Sequence, residues 1–237
     1  MKKTLLIACL LTLALSGMAC SKGTEENFQE GMAAYSKGDY GTALKAWRPL
    51  AEEGNPSAQT NLGVMYYQGL GVPKDYAQAV KWYQMAALQG YADAEYNLAL
   101  AYAEGRGLPQ DYREARRWYE MAAEQGDASA QLSLGDMYYH GRGVAVDYEQ
   151  AAKWYGQAAD QGYLGAVFVL GSMYAAGQGV PKDLVQAYLW FTLAGTPNNA
   201  AAKQAAFRNR DLIARQMTPA QIAQAEQLAK DWKPKKK

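Results

Sequence analysis

Residues 58–90 read AQTNLGVMYYQGLGVPKDYAQAVKWYQMAALQG, and residues 94–126 restate the pattern as AEYNLALAYAEGRGLPQDYREARRWYEMAAEQG. The phase then holds along the chain. Trp82, Trp118, Trp154 and Trp190 stand 36 residues apart. Asp39, Asp75, Asp111, Asp147 and Asp183 keep the same step, with Ala43, Ala79, Ala115, Ala151 and Ala187 beside them. Leu62, Leu98, Leu134 and Leu170 form a further series, as do Tyr66, Tyr102, Tyr138 and Tyr174. Self-similarity at a period of this size marks a repeat array, in which each unit buries its apolar faces only against its neighbours.

One period reads as two helices. The first runs from about Ala58 to Gln68, with Ala58, Leu62, Met65 and Tyr66 at the spacing of one helical face. Gly69 ends it in the left-handed turn that glycine accepts, and Pro73 bars its continuation. Asp75 is the expected N-cap of a second helix reaching to about Gln89, with Ala79, Trp82, Tyr83 and Ala86 as its buried face. Small residues at Ala79 and Ala86 permit close approach, and Tyr66 and Trp82 are expected to fill the space between pairs. The fold expected is all-α: a right-handed α-solenoid of stacked antiparallel helix pairs, its hand taken from helix-pair repeats in general.

The ends differ from the middle. The opening pair, over 27–56, replaces the Gly-x-Gly loop with Ser36-Lys37-Gly38-Asp39 and carries Pro49 in its second helix. Four repeats follow over 57–195, at about 58–93, 94–129, 130–165 and 166–195. Capping helices are expected over 200–232, where Thr218-Pro219-Ala220-Gln221 carries the signature of a capping box. A basic tail over 233–237 closes the chain and reads as solvated.

Residues 1–19 read as a leader. Lys2 and Lys3 precede an apolar run from Leu5 to Leu15 that is too short to span a bilayer. Small residues at Gly17 and Ala19 then place cleavage before Cys20, with 20–26 as a linker. The ending Ser16-Gly17-Met18-Ala19-Cys20 resembles a bacterial lipobox, although Gly17 stands where leucine is most common. Lipid on Cys20 is the expectation, with plain secretion as its rival. Export then places the protein in the periplasm or at the outer membrane, and Ser21 after Cys20 leans toward the outer one. Both cysteines, Cys9 and Cys20, fall in or beside the leader, so no disulfide is expected to staple the body.

The net charge of +1 gives no general pull toward nucleic acid or anionic lipid. One histidine and no cysteine in the body leave no zinc site, and no cofactor is expected. The Gly-x-Gly loops at 69–71, 105–107, 141–143 and 177–179 each follow a helix, not the strand that a phosphate-binding loop requires. Arg106 and Arg142 inside two of them read as exposed loop arginines.

Four stretches, starting at Ala58, Ala94, Ala130 and Ala166, follow the pattern A-x3-L-G-x2-Y-x2-G-x-G-V-x2-D-x3-A-x2-W-Y-x2-A-A-x-Q-G, with small departures such as Ala99 for glycine. In this they resemble the Sel1-like repeat, a relative of the tetratricopeptide repeat. The resemblance implies a scaffold that binds proteins, with a partner in the cell envelope. Some cysteine-rich members of that family are described as β-lactamases, so an enzyme acting on peptidoglycan or β-lactams is the alternative. Against it, no Ser-x-x-Lys, Ser-Asp-Asn, Lys-Thr-Gly or Gly-x-Ser-x-Gly motif is present.

The first helices of such pairs are expected to line the concave face. Removing the repeating core positions leaves a stripe of residues that change from copy to copy. Its candidate binding residues are Asn61 and Gln68, then Asn97 and Glu104, then Ser133, Asp136 and His140. Asp136 and His140, one turn apart, read as a solvated pair, with an acid–base pair or part of a binding surface as the alternative. Tyr67 and Tyr139 lie at the stripe's edge, as aromatic anchors or as packing against the next pair.

Overall fold

A computed structural model describes residues 23–195 and 200–235, and for 200–202 the backbone alone. The described residues form helices and no strand. Helix α1 covers residues 23–36. It is followed by α2 (Tyr40–Glu52), α3 (Pro56–Gln68), α4 (Tyr76–Ala87), α5 (Ala92–Glu104) and α6 (Tyr112–Glu124). Then come α7 (Ala128–His140), α8 (Tyr148–Asp160), α9 (Leu164–Ala176), α10 (Leu184–Ala194), α11 (Ala200–Ala214) and α12 (Pro219–Asp231). No helix among the described residues is long and apolar enough to cross a membrane. The leader, the cleavage site and Cys20 lie outside the described residues, as do Lys236 and Lys237.

The helices fall into two compact units. The first holds the described residues up to Ala101 together with Gly105–Pro109, and the second holds Tyr102–Glu104 and the residues from Gln110 onward. In the first unit α2 packs on α3, and α3 on α4. In the second, α6 to α10 pack each on the next in sequence, and α10 carries both α11 and α12.

The aspartate series caps the second helix of every pair. Asp75 accepts from the backbone N–H of Gln78 at 3.0 Å, Asp147 from that of Gln150 at 3.0 Å, and Asp183 from those of Val185 and Gln186. The aspartate's own N–H donates back to the tyrosine series: Asp75 to the Tyr66 carbonyl, and Asp147 to that of Tyr138, each at 2.9 Å. One residue therefore fixes both ends of the loop, a helix start and a helix end. The second glycine of each loop docks the pair on its predecessor. A Cβ on Gly107 would stand 2.3 Å from the carbonyl oxygen of Tyr76, and one on Gly179 would stand 2.0 Å from that of Tyr148. Both glycines also hold a positive φ, so no other residue suits them on either count.

The tryptophan series is not the buried one. Trp82, Trp118 and Trp154 are half-buried, and only Trp190 is buried. The aromatic that fills each pair is the residue after it: Tyr83, Tyr119, Tyr155 and Phe191, each at most 3% exposed. This series extends into the opening pair as Trp47, which is 1% exposed and donates from Nε1 to the Phe28 carbonyl at 3.2 Å. A glycine on the facing first helix makes room for the ring. A Cβ on Gly63 would stand 2.4 Å from Tyr83, and one on Gly31 would stand 2.2 Å from Trp47.

A polar rung accompanies this apolar core. Gln59 is buried, donates to the Ala51 carbonyl at 2.9 Å and accepts from Gln89 at 2.9 Å. Gln131 repeats the arrangement with the Ala123 carbonyl at 3.2 Å and Gln161 at 2.8 Å. The amides satisfy one another, so their burial costs little.

The C-terminal cap follows the expected chemistry. Thr218 and Gln221 form a reciprocal capping box at the start of α12. The tail does not. Lys235 donates its backbone N–H to the Asp160 carbonyl at 2.7 Å and pairs its ammonium with the Asp160 carboxylate at 2.5 Å. Trp232 meets Trp190 edge-on at 6.4 Å. The last described residues are thus strapped to the end of α8. The tie is not visible in the sequence because the acceptor lies 75 residues away.

Candidate functional site

Of the expected core positions of the first helices, Ala58, Leu62 and Met65 and their equivalents through Ala166, Leu170 and Met173 are buried, while the Tyr66 series is half-buried. None of the candidate stripe residues beside them is buried. The 3.6-residue turn thus divides each first helix into an inner face, on which the alanine and leucine series repeat, and an outer face that changes.

In the first unit, Gln68 is exposed, while Asn61 and Asn97 are half-buried. Asn61 donates to Met32 Sδ at 3.7 Å, and Asn97 to the Asp93 carbonyl at 2.7 Å. Tyr67 is held on three sides. Its ring meets Tyr76 edge-on at 4.9 Å, its hydroxyl accepts from Arg106 at 2.8 Å, and that guanidinium lies 5.6 Å from its ring and 5.7 Å from that of Tyr76. Arg106 is exposed, as expected of a loop arginine, and it also stacks on both tyrosines and fastens one loop to the preceding pair.

In the second unit, Glu104 and His140 are exposed. Ser133 donates to the Ser129 carbonyl at 2.9 Å. Asp136 is not half of a solvated pair with His140. It reaches inward and accepts from the Tyr155 hydroxyl at 2.6 Å. Burial, reinforced by this bond and the carboxylate's charge, pushes the Tyr155 phenol far above its ordinary range. Burial does the same to Tyr83. Tyr139 contacts Tyr148 at 5.2 Å, Tyr155 at 6.4 Å and His140 at 5.0 Å, and donates to Gln178 at 3.2 Å. Helix α7 thus gathers Asp136, Tyr139 and His140 near Tyr155, but the first two are committed to packing and His140 alone is fully presented.

Sequence reasoning missed the role of Asp136 because its position is taken by Val64, Leu100 and Ser172 in the other copies. It also missed Glu95, which is fully buried where the sister copies carry Gln59 and Gln131. The repeat register held that signal. Among the described residues, no group of histidine, aspartate and glutamate side chains is placed to hold a metal ion.

The Sel1 repeat model matches residues 56–91, 92–127, 128–163 and 165–196, which is more than half of the chain. The chain belongs to the Sel1 repeat family. Among solved structures it is similar to c5321, described as a protective antigen present in uropathogenic Escherichia coli strains displaying an SLR fold. The two share 32% identity over 93% of this chain, with a TM-score of 0.71. The chain spans 53% of the length of that protein. It is also similar to a Sel1 repeat protein from Oxalobacter formigenes, at 29% identity over 86% of each chain and a TM-score of 0.68. A sel1 repeat protein from Klebsiella pneumoniae shares the fold at 20% identity, over 81% of this chain and 93% of that one, with a TM-score of 0.52. No curated protein matched the chain. Sel1 repeats build scaffolds suited to protein–protein interaction, and the fold is the all-α helix-pair repeat of that class.

Proposed function

We propose that the chain is an exported binding scaffold of the cell envelope, anchored by lipid on Cys20, which captures a protein partner with the outward residues of its first helices. One observation carries this reading: the accessible stripe residues of those helices differ between copies, while the buried Ala58 and Leu62 series repeat unchanged. Specificity needs positions free to vary, and here these are also the ones that solvent reaches. Helices hold Gln68 and Asn97 in the first unit and Glu104 and His140 in the second, so within each unit a partner meets residues with little left to order. Lipid on a cysteine following a cleaved leader provides stable anchoring when more than one acyl chain is attached.

The test is retrieval from envelope extract, with mass spectrometry, by the wild type and by a Gln68→Ala, Asn97→Ala, His140→Ala variant. Asp136 stays untouched because its loss would strip Tyr155 of its acceptor. The expected result is one protein retrieved by the wild type and lost from the variant. Equal retrieval by both overturns the assignment of the face. For the anchor, Cys20→Ser should move the protein from the membrane fraction to the soluble one. An unchanged fraction, or an intact mass beginning at Met1, contradicts lipidation.

A further inference from the structure

The cap closes one end of the second unit imperfectly. Between α9, α10 and α11 lies a cleft of about 370 Å³. Its floor is Ser172, Ala175 and Ala176 of α9, and its apolar walls are Leu184, Phe191 and Ile213. Leu212, 50% exposed, stands between this cleft and a second of about 400 Å³ against α11. The two clefts meet at Leu212 and together form a shallow, open trough.

Cations flank this trough. Lys182 borders the first cleft, and Arg208 and Arg215 border the second. All three side chains are exposed, and among the described residues none has an ion-pair or hydrogen-bond partner. Arg210 differs: it is bound to Asp211 at 2.7 Å and lies 4.4 Å over Phe207. Asp211 is the one carboxylate lining either cleft. The helix thus uses one arginine for its own fold and offers two.

We propose that this trough binds a short acidic peptide segment of a protein partner. An aliphatic side chain seats against Ala175, Ala176 and Phe191, and flanking carboxylates face Lys182, Arg208 and Arg215. Planar guanidinium groups suit carboxylates because they donate two parallel hydrogen bonds. The small residues of the floor leave room that a larger side chain would fill. An anionic membrane is the lesser fit, since it is met best by apolar groups that project, and here Phe191 and Ile213 are buried and Leu212 is the exposed one. The inference rests on the reading of the first-helix stripe as the binding face, because Ser172 and Ala176 are its members in the fourth copy.

Fluorescence anisotropy of the full chain against a labelled Asp-Glu-Leu-Asp-Glu-Leu peptide tests it, with Asn-Gln-Leu-Asn-Gln-Leu as the neutral control. The acidic peptide should bind, more weakly as salt rises, and the control should not. Arg208→Glu with Arg215→Glu should weaken binding at least about tenfold, with helicity unchanged. Ala176→Trp should block the floor with similar effect. The Gln68, Asn97, His140 variant should bind the peptide normally, so failure of the trough and failure of the stripe separate cleanly. Equal binding of both peptides, or indifference to Arg208 and Arg215, overturns the proposal. So does arginine-dependent binding to phosphatidylglycerol vesicles without peptide binding.

Discussion

The ring of Tyr155 lies in the notch left by Gly135, so close that a Cβ on the glycine would stand 2.5 Å from the ring. A pair of helices can approach only where one side yields volume to the other. Gly135→Ala should therefore destabilise, by about 1–3 kcal/mol from overpacking, less the roughly 1 kcal/mol that alanine gains in a helix. Gly156 in α8 has nothing within 4 Å of its Cβ position, so Gly156→Ala should stabilise by up to about 1 kcal/mol. Thermal melts of the two variants moving in the same direction would contradict the packing described.

Two neighbouring aromatics should differ sharply. Tyr119 is 3% exposed and Tyr119→Ala should cost about 3–5 kcal/mol, the loss typical of a buried aromatic. Trp118 is half-buried, and its truncation should cost roughly half as much. Chemical denaturation of both variants reads the order directly. A larger loss at Trp118 would reverse the assignment of the buried series.

Alkali should unfold the protein through its buried phenols. Tyr83 and Tyr155 hold their protons more tightly folded than unfolded, chiefly through burial. The stability tied to these groups is fully present below the ordinary phenol pKa of about 10, and is lost as pH rises above it toward the folded value. Helicity should hold to about pH 10 and then fall. Absorbance at 295 nm should show part of the 18 tyrosines ionising only with that loss. Ionisation of all of them while the helices persist would contradict the burial.

The helix pairs, their caps and the cap box were legible because each rests on local chemistry: an aspartate three residues before the N–H it accepts from, a glycine after the last turn. The choice between Trp118 and Tyr119 was not, since adjacent helix positions lie about 100° apart and both repeat at the same step. The opening pair breaks the tie, because Trp47 falls in register with Tyr83 and not with Trp82. Of the stripe, Gln68, Glu104 and His140 are exposed, and variation between copies did not separate them from the half-buried Asn61, Asn97 and Ser133. The inward turn of Asp136 and the strap from Lys235 to Asp160 were not legible either. Both are contacts over sequence separations that no local pattern carries, 19 and 75 residues.

The most direct test of the binding face is the affinity of the retrieved partner, titrated against wild type and the Gln68→Ala, Asn97→Ala, His140→Ala variant, with a melt of each. His140→Ala alone should cost about 1 kcal/mol or less, as for an interface residue outside a hot spot. The triple variant should raise Kd about tenfold or more at an unchanged melting temperature. An unchanged Kd in a folded triple variant would show that the partner binds elsewhere, and the first-helix stripe would lose its function.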